Sequence, residues 1–216
     1  MQESLKQKKE RKTFTDLLRT NFDWLLQPVA RFLNGIGVQP NMLTLTGLIG
    51  TAAGGYFASQ GSFKWGAVLI LFMSLVDAFD GPLARLRGEP RDFGAFVDSV
   101  SDRYAELLIY AGLLWYSLQQ ADTWLALAVY FAAFGSVLVS YTRARAQSLG
   151  LEAKVGMFSR VERILILSIA LFFNFAFLGI VLVAVGSNIT ALRRIWHVRS
   201  EAHKHESYHR DPKKEQ

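Results

Sequence analysis

The sequence predicts an all-α membrane protein with six transmembrane helices and an N-terminal amphipathic helix beside the membrane. Three observations predict this fold class: 51% of the 216 residues are hydrophobic, the apolar residues form long runs, and the basic residues cluster between alternate runs. About 20 apolar residues are needed to cross the hydrocarbon core of a bilayer, and several runs reach or approach that length.

The chain begins and ends with polar segments that flank the predicted membrane domain. Residues 1–12 form a basic tail, which we expect to be solvated. Residues 13–34 repeat apolar side chains at helical spacing, with most charged side chains facing away from them, as is typical of a helix in the membrane interface. A six-helix domain is predicted over residues 35–195, followed by a polar cytoplasmic tail over residues 196–216.

The six predicted spans are separated by short polar or glycine-containing connections. They are placed approximately at 42–59, from 63 into the acidic residues near 77, 94–118, 123–143, 159–173 and 175–192. The first span contains a run of small residues, Ala52 to Gly55, which predicts close packing against another helix rather than a ligand site.

The distribution of basic residues predicts the orientation in the membrane. Of 24 lysines and arginines, only Lys64 falls in a connection that we place outside. By the positive-inside rule, both termini and the longer polar connections are then cytoplasmic in a multi-pass plasma-membrane protein. The same alternation argues against nucleic-acid binding, although the net charge is +6. The chain has no cysteine, which excludes disulfides and thiol nucleophiles.

Four regularly spaced aspartates are the most informative chemical feature. Beginning at Asp77, the sequence reads D-x2-D-G-x2-A-R-x8-G-x3-D-x3-D, so the acidic residues are Asp77, Asp80, Asp98 and Asp102. Gly94, Asp98 and Asp102 are four residues apart and share one helical face. Antiparallel packing of two helices across the short linker would bring the four carboxylates together. Because intramembrane carboxylates are costly, this cluster is predicted to be functional.

Converging carboxylates without matching cations favour a bound hard cation, for which Mg²⁺ is the simplest candidate. Such an ion binds a few carboxylates and takes further ligands from substrate phosphates. One carboxylate could accept a proton from an attacking hydroxyl. Arg85 could pair with a phosphate.

This eight-position pattern resembles the signature of the CDP-alcohol phosphotransferases and matches every fixed position. The resemblance implies six helices around a cytoplasm-facing cavity that holds one or two divalent metals, Mg²⁺ or Mn²⁺. It implies displacement of CMP from a CDP-lipid by an alcohol, and a homodimer. Asp77, Asp80 and Asp98 would be metal ligands, and Asp102 would be the general base and a further ligand. The residues implied at the CDP-lipid site are Gly81, Ala84, Arg85 and Gly94, with Asn41 and Thr44 as neighbours.

Arginines near the cytoplasmic ends of the later spans predict an acceptor that carries a phosphate. The stretch from Ser140 to Ala146 and the later pair Glu162 and Arg163 resemble the phosphatidylinositol-phosphate and archaetidylinositol-phosphate synthase branch, in which the acceptor is inositol 1-phosphate. By this resemblance the acceptor residues are Ser140, Arg143 and Arg163, with Arg193 or Arg194. Glycerol 3-phosphate also carries a phosphate, so a phosphatidylglycerol-phosphate synthase is the alternative.

Two other function classes use intramembrane acidic residues. A Mg²⁺-dependent prenyltransferase would turn over a prenyl diphosphate, and its aspartates are spaced differently. A cation transporter would carry ions without releasing CMP, and it would give no joint role to Gly81, Ala84, Arg85 and Gly94.

Overall fold

The computed structural model describes residues 26–88 and 91–209, and regular structure within these ranges is entirely helical. The helices are α1 (26–35), α2 (Pro40–Ser59), α3 (Phe63–Asp77), α4 (Asp80–Arg87), α5 (Arg91–Gln119), α6 (Thr123–Ser148), α7 (Arg160–Phe172) and α8 (Ala176–His209). The prediction of an all-α protein is therefore confirmed. Residues 13–25 of the predicted amphipathic helix lie outside the described ranges.

Three helical stretches are long and apolar enough to cross a membrane: Phe63–Arg87, Thr123–Ser148 and Ala176–His203. The other three predicted spans are helical too, but each differs from a uniformly apolar span. Helix α5 contains Asp98 and Asp102, and α2 contains several threonines and glycines. Helix α7 has 13 residues, which at helical rise span about 20 Å, less than the hydrocarbon core. That the chain crosses the membrane six times therefore stays a prediction.

The helices pack into two groups that meet at the centre of the molecule. Helix α2 packs against α3 and α5, whereas α6 packs against α8, and α5–α6 and α3–α7 contacts join the groups. The fully buried apolar side chains at this junction include Ile70, Ile109, Leu113, Val129, Leu171, Ile180 and Val183. Large apolar side chains also cover the outside of the helices, for example Phe72 and Leu178, as in a protein that faces lipid.

Small residues let α2 approach its neighbours closely, as the small-residue run predicted. A Cβ atom added to Gly54 would lie 3.1 Å from the Gly66 carbonyl oxygen on α3. A Cβ atom added to Gly112 on α5 would overlap the Gly55 carbonyl oxygen. These backbone contacts fix α3 and α5 on either side of α2 and therefore fix the helices that carry Asp77, Asp98 and Asp102.

Candidate active site

The first two aspartates flank the junction between α3 and α4. Asp77 is the last residue of α3 and is buried, whereas Asp80 is the first residue of α4. Pro82, in the first turn of α4, has no N–H to donate to the carbonyl of Ala78, so the sequence itself interrupts regular helix here. The Thr44 hydroxyl of α2 donates a hydrogen bond of 3.2 Å to Asp80 Oδ2 and ties α4 to α2.

The last two aspartates project from the first half of α5 toward Asp77. Carboxylate oxygens of Asp77, Asp98 and Asp102 all lie within 4.8 Å of one another. Asp80 lies outside this tight group, but its charge interacts with those of Asp77 and Asp98. The predicted convergence of the acidic residues is thus present, with three of them closest together.

Arg160, the first residue of α7, lies between two of these carboxylates. Its Nη1 atom is 2.9 Å from Asp77 Oδ2 and also contacts Asp102 Oδ1. The Asp102 contact is an ion pair without hydrogen-bond alignment, and Asp102 Oδ1 is a buried atom with no hydrogen-bond partner in the described ranges. Arg103 also lies near the cluster, with its Nη1 atom 3.8 Å from Asp102 Oδ2, so two arginines offset part of the negative charge.

The donor set fits a divalent metal ion. Its oxygens are close enough to share one ion, all are hard carboxylate ligands, and all are at least partly shielded from solvent. Asp77, Asp98 and Asp102 could therefore hold a metal, with Asp80 at the edge of the cluster.

Three of the residues predicted to bind the CDP-lipid lie on α4, directly after the α3–α4 junction. Gly81 and Ala84 are partly buried on α4, and Arg85 is exposed one residue further on. Gly94 on α5 is exposed, and a Cβ atom added there would meet nothing within 4 Å, so open space adjoins this face. On α2, Thr44 is buried against Asp80, whereas Asn41 is exposed.

The residues predicted to bind the acceptor differ in how their side chains are placed. Ser140 is partly buried, and Arg143 and Arg193 are exposed. Arg194 is buried and donates hydrogen bonds to the backbone carbonyls of Val139 and of Val155, the latter at 3.0 Å. The charges of Arg143 and Arg163 act on Arg194, so the three arginines belong to one region.

Arg163 is the most buried residue of this group, with 1% of its surface exposed. Its Nε and Nη2 atoms donate to the two carboxylate oxygens of Glu106, at 2.6 and 2.7 Å. Its Nη1 atom donates to the carbonyl of Phe158 at 3.0 Å. All three guanidinium nitrogens are therefore already hydrogen-bonded within the protein.

The sequence alone predicts no role for Glu106, and it presents Arg160 only as one of the arginines clustered near the cytoplasmic ends of the later spans. Glu106 continues the four-residue spacing of Gly94, Asp98 and Asp102, a signal that could have identified it. Arg160 offered no comparable signal because its contacts depend on how α7 packs against α3.

Comparisons with known proteins agree with this geometry. A family model described as CDP-alcohol phosphatidyltransferase matches residues 38–193. A phosphatidylinositol phosphate synthase of Streptomyces avermitilis is 37% identical over 199 residues, covering 85% of this chain and 82% of that protein. An archaetidylinositol phosphate synthase of Pyrococcus horikoshii is 34% identical over 176 residues, covering 81% of this chain and 90% of that protein.

Solved structures show the same similarity. The phosphatidylinositol phosphate synthase of Mycobacterium tuberculosis with CDP-DAG bound aligns with a TM-score of 0.75 and 31% identity, covering 80% of this chain and 92% of that chain. The same enzyme in complex with manganese and citrate aligns with a TM-score of 0.75, covering 80% and 88%. Since the family model spans well over half of the sequence, this chain belongs to the CDP-alcohol phosphatidyltransferase family.

Proposed function

We propose that the protein is a membrane enzyme of phospholipid biosynthesis that transfers a phosphatidyl-type group from a CDP-lipid to inositol 1-phosphate and releases CMP. The observation that carries this proposal is the convergence of Asp77, Asp98 and Asp102 beside Arg160. The donor is CDP-diacylglycerol or CDP-archaeol, because relatives are named for both phosphatidyl- and archaetidylinositol phosphate synthesis.

Asp77, Asp80, Asp98 and Asp102 would hold Mg²⁺ or Mn²⁺. The clustered carboxylate oxygens of Asp77, Asp98 and Asp102 support this assignment, and so does the crystallisation of a relative with manganese. When bound, the metal neutralises the diphosphate of the donor and stabilises the departing CMP.

Asp102 would accept the proton of the attacking hydroxyl group. Its Oδ1 atom is buried within the cluster and forms an ion pair with Arg160, which leaves an ionised carboxylate that could accept a proton from a bound alcohol. The hydroxyl oxygen then attacks the β-phosphorus of the CDP-lipid, and the bond from that phosphorus to the CMP oxygen breaks.

The CDP-lipid would lie along α4 and the start of α5. Gly81, Ala84 and Gly94 would let its diphosphate approach the backbone, and Arg85 would pair with a phosphate. The open space beside Gly94 supports this placement. Asn41 and Thr44 would border the CDP site, because the Thr44 hydroxyl donates a hydrogen bond to Asp80.

The acceptor phosphate would bind among arginines of α6, α7 and α8. Arg143 and Arg193 are exposed and could reach a ligand directly, with Ser140 one turn before Arg143. Arg163 and Arg194 are buried and would attract the acceptor phosphate through their positive charge. Either could also bind the phosphate directly by giving up one of its hydrogen bonds to a backbone carbonyl. Arg160 joins this set because it lies where the acceptor must meet Asp102.

The proposed topology has six spans, with the active site and both termini on the cytoplasmic side of the plasma membrane. Residues 35–195 would form the membrane domain, preceded by the tail (1–12) and the interfacial helix (13–34), and followed by the tail (196–216). We also propose a homodimer, on the family resemblance alone.

The test is CMP release by the purified protein with a CDP-lipid and a divalent metal. Inositol 1-phosphate, glycerol 3-phosphate, free inositol and serine are supplied in parallel, and a chelator provides the metal-free control. Release with inositol 1-phosphate alone supports the proposal in full. Release with glycerol 3-phosphate alone would retain the chemistry and replace the acceptor. No release with any acceptor, from folded and metal-loaded protein, would contradict the proposal.

A further inference from the structure

Beneath the candidate active site lies a buried polar network in which Glu106, Tyr110 and Ser136 have no role in the proposed reaction. Glu106 is one helical turn beyond Asp102 on α5, and it is buried with Arg163 of α7. Tyr110, one further turn along α5, donates a hydrogen bond of 2.9 Å to Glu106 Oε1. The Tyr110 hydroxyl also pairs with the Ser136 hydroxyl of α6 at 2.9 Å. The network therefore joins three helices.

Both carboxylate oxygens of Glu106 are taken by protein donors. Oε1 accepts hydrogen bonds from Arg163 Nε and from the Tyr110 hydroxyl, and Oε2 accepts one from Arg163 Nη2. A bidentate arginine–carboxylate pair such as Arg163 with Glu106 has one preferred geometry. Glu106 consequently has no oxygen free for a metal, and among the described residues it is not a member of the acidic cluster.

Arg163 connects this pair to the start of α7. Its Nη1 atom donates to the carbonyl of Phe158, and the Phe158 N–H donates to Thr190 Oγ1 at 3.4 Å. Two residues after Phe158, Arg160 reaches Asp77 and Asp102. Fixing Arg163 therefore fixes the backbone from which Arg160 extends into the acidic cluster.

Removing the charge of Glu106 would leave the Arg163 guanidinium buried without its counter-ion. A buried unpaired charge is strongly unfavourable, so conformations in which Arg163 pairs with another carboxylate would be favoured. Asp102 is the next acidic residue on the same face of α5, one turn away. Asp102 already contacts Arg160, and its Oδ2 atom lies 3.8 Å from Arg103 Nη1, so a third arginine would then act on the cluster.

We propose that Glu106 is a positioning residue for the active site: by pairing with Arg163, it keeps that arginine away from Asp102, which preserves the affinity of the aspartate cluster for a divalent cation. This inference rests on the proposed metal site. It concerns Mg²⁺ or Mn²⁺ binding and assigns Glu106 no contact with substrate.

The experiment measures Mn²⁺ binding to the full-length detergent-solubilised protein, by the loss of the free Mn²⁺ signal in electron paramagnetic resonance. Glu106→Gln is expected to weaken binding by at least about tenfold, because an additional positive charge acts on the site. Glu152→Gln, which removes a carboxylate from an exposed loop position, is the matched control and should bind as the wild type does.

The double variant Glu106→Gln/Arg163→Met separates charge from packing. Removing both charges of a buried pair is often tolerated, so Mn²⁺ affinity should return to within about threefold of the wild type. A role in packing alone predicts that the double variant binds no better than Glu106→Gln, and that result would overturn the inference. Wild-type affinity in folded Glu106→Gln would overturn it as well.

Arg163→Gln provides an independent variant should Glu106→Gln not fold. It leaves the Glu106 charge unpaired and loosens Arg160, so both effects predict Mn²⁺ binding at least as tight as in the wild type. Weaker binding by about tenfold or more would contradict the inference. Absence of Mn²⁺ binding in the wild-type protein would overturn the proposed metal site itself, which is a different outcome from equal binding in wild type and Glu106→Gln.

Discussion

Arg160 Nη1 lies 2.9 Å from Asp77 Oδ2, although the two residues are 83 positions apart in the sequence. The same nitrogen contacts Asp102, so α3, α5 and α7 meet at one point. An arginine here lowers the repulsion among the carboxylates and puts a phosphate-binding side chain beside the candidate base. The site is therefore a mixed acidic and basic centre, which suits a reaction between two phosphate-bearing substrates.

Asp77→Asn should reduce CMP release by at least about a hundredfold, because it removes the negative charge of a proposed metal ligand at the centre of the cluster. The loss is measured as initial rate at saturating CDP-lipid over a range of metal concentrations. Asp122→Asn is the control, because Asp122 caps α6 through a 3.0 Å bond from the Leu125 N–H, and asparagine caps equally well. Full activity in Asp77→Asn would exclude it as a ligand.

Arg143→Ala should raise the KM for inositol 1-phosphate while leaving the KM for the CDP-lipid unchanged. Loss of one charge-assisted hydrogen bond to a phosphate costs about 2 kcal/mol, or roughly thirtyfold in affinity. Arg145→Ala is the matched control, since Arg145 is also exposed on α6 and bonds Ser148 within its own helix. An equal change in both variants would point to general surface charge rather than a phosphate site.

Arg160→Gln should lower turnover by about tenfold or more without increasing the metal concentration needed for half-maximal activity, because the lost charge opposes metal binding but favours the phosphorylated substrates. Arg160→Lys keeps the charge and should retain more activity than Arg160→Gln. Steady-state kinetics over a metal titration distinguish these effects. A higher metal requirement in Arg160→Gln would mean that Arg160 supports the cluster rather than opposing metal binding.

Two glycines of α5 should respond differently to alanine. Gly112→Ala forces a methyl group against the Gly55 carbonyl and should destabilise the protein by about 1–3 kcal/mol, seen as a lower Tm in detergent. Gly94→Ala meets open space and should fold normally, since alanine favours helix. It should nevertheless raise the KM for the CDP-lipid. An unchanged KM in Gly94→Ala would remove Gly94 from the donor site.

The sequence by itself determined the helical class, the family and the convergence of the aspartates. Side chains four apart on a helix must share a face, so Gly94, Asp98 and Asp102 could be aligned without any tertiary information. These conclusions depend on local geometry, which a linear pattern contains.

Tertiary packing alone decided which basic residues meet which acidic ones. The sequence presented Arg160 and Arg163 as equivalent members of one basic segment, but the structure separates them: Arg160 joins the aspartates, and Arg163 is buried against Glu106. Their partners lie 57 or more positions away and are chosen by the register of α7 against α3 and α5. That register depends on close contacts between helices, such as Gly55 with Gly112, and on the anchoring of Phe158, none of which a one-dimensional spacing encodes.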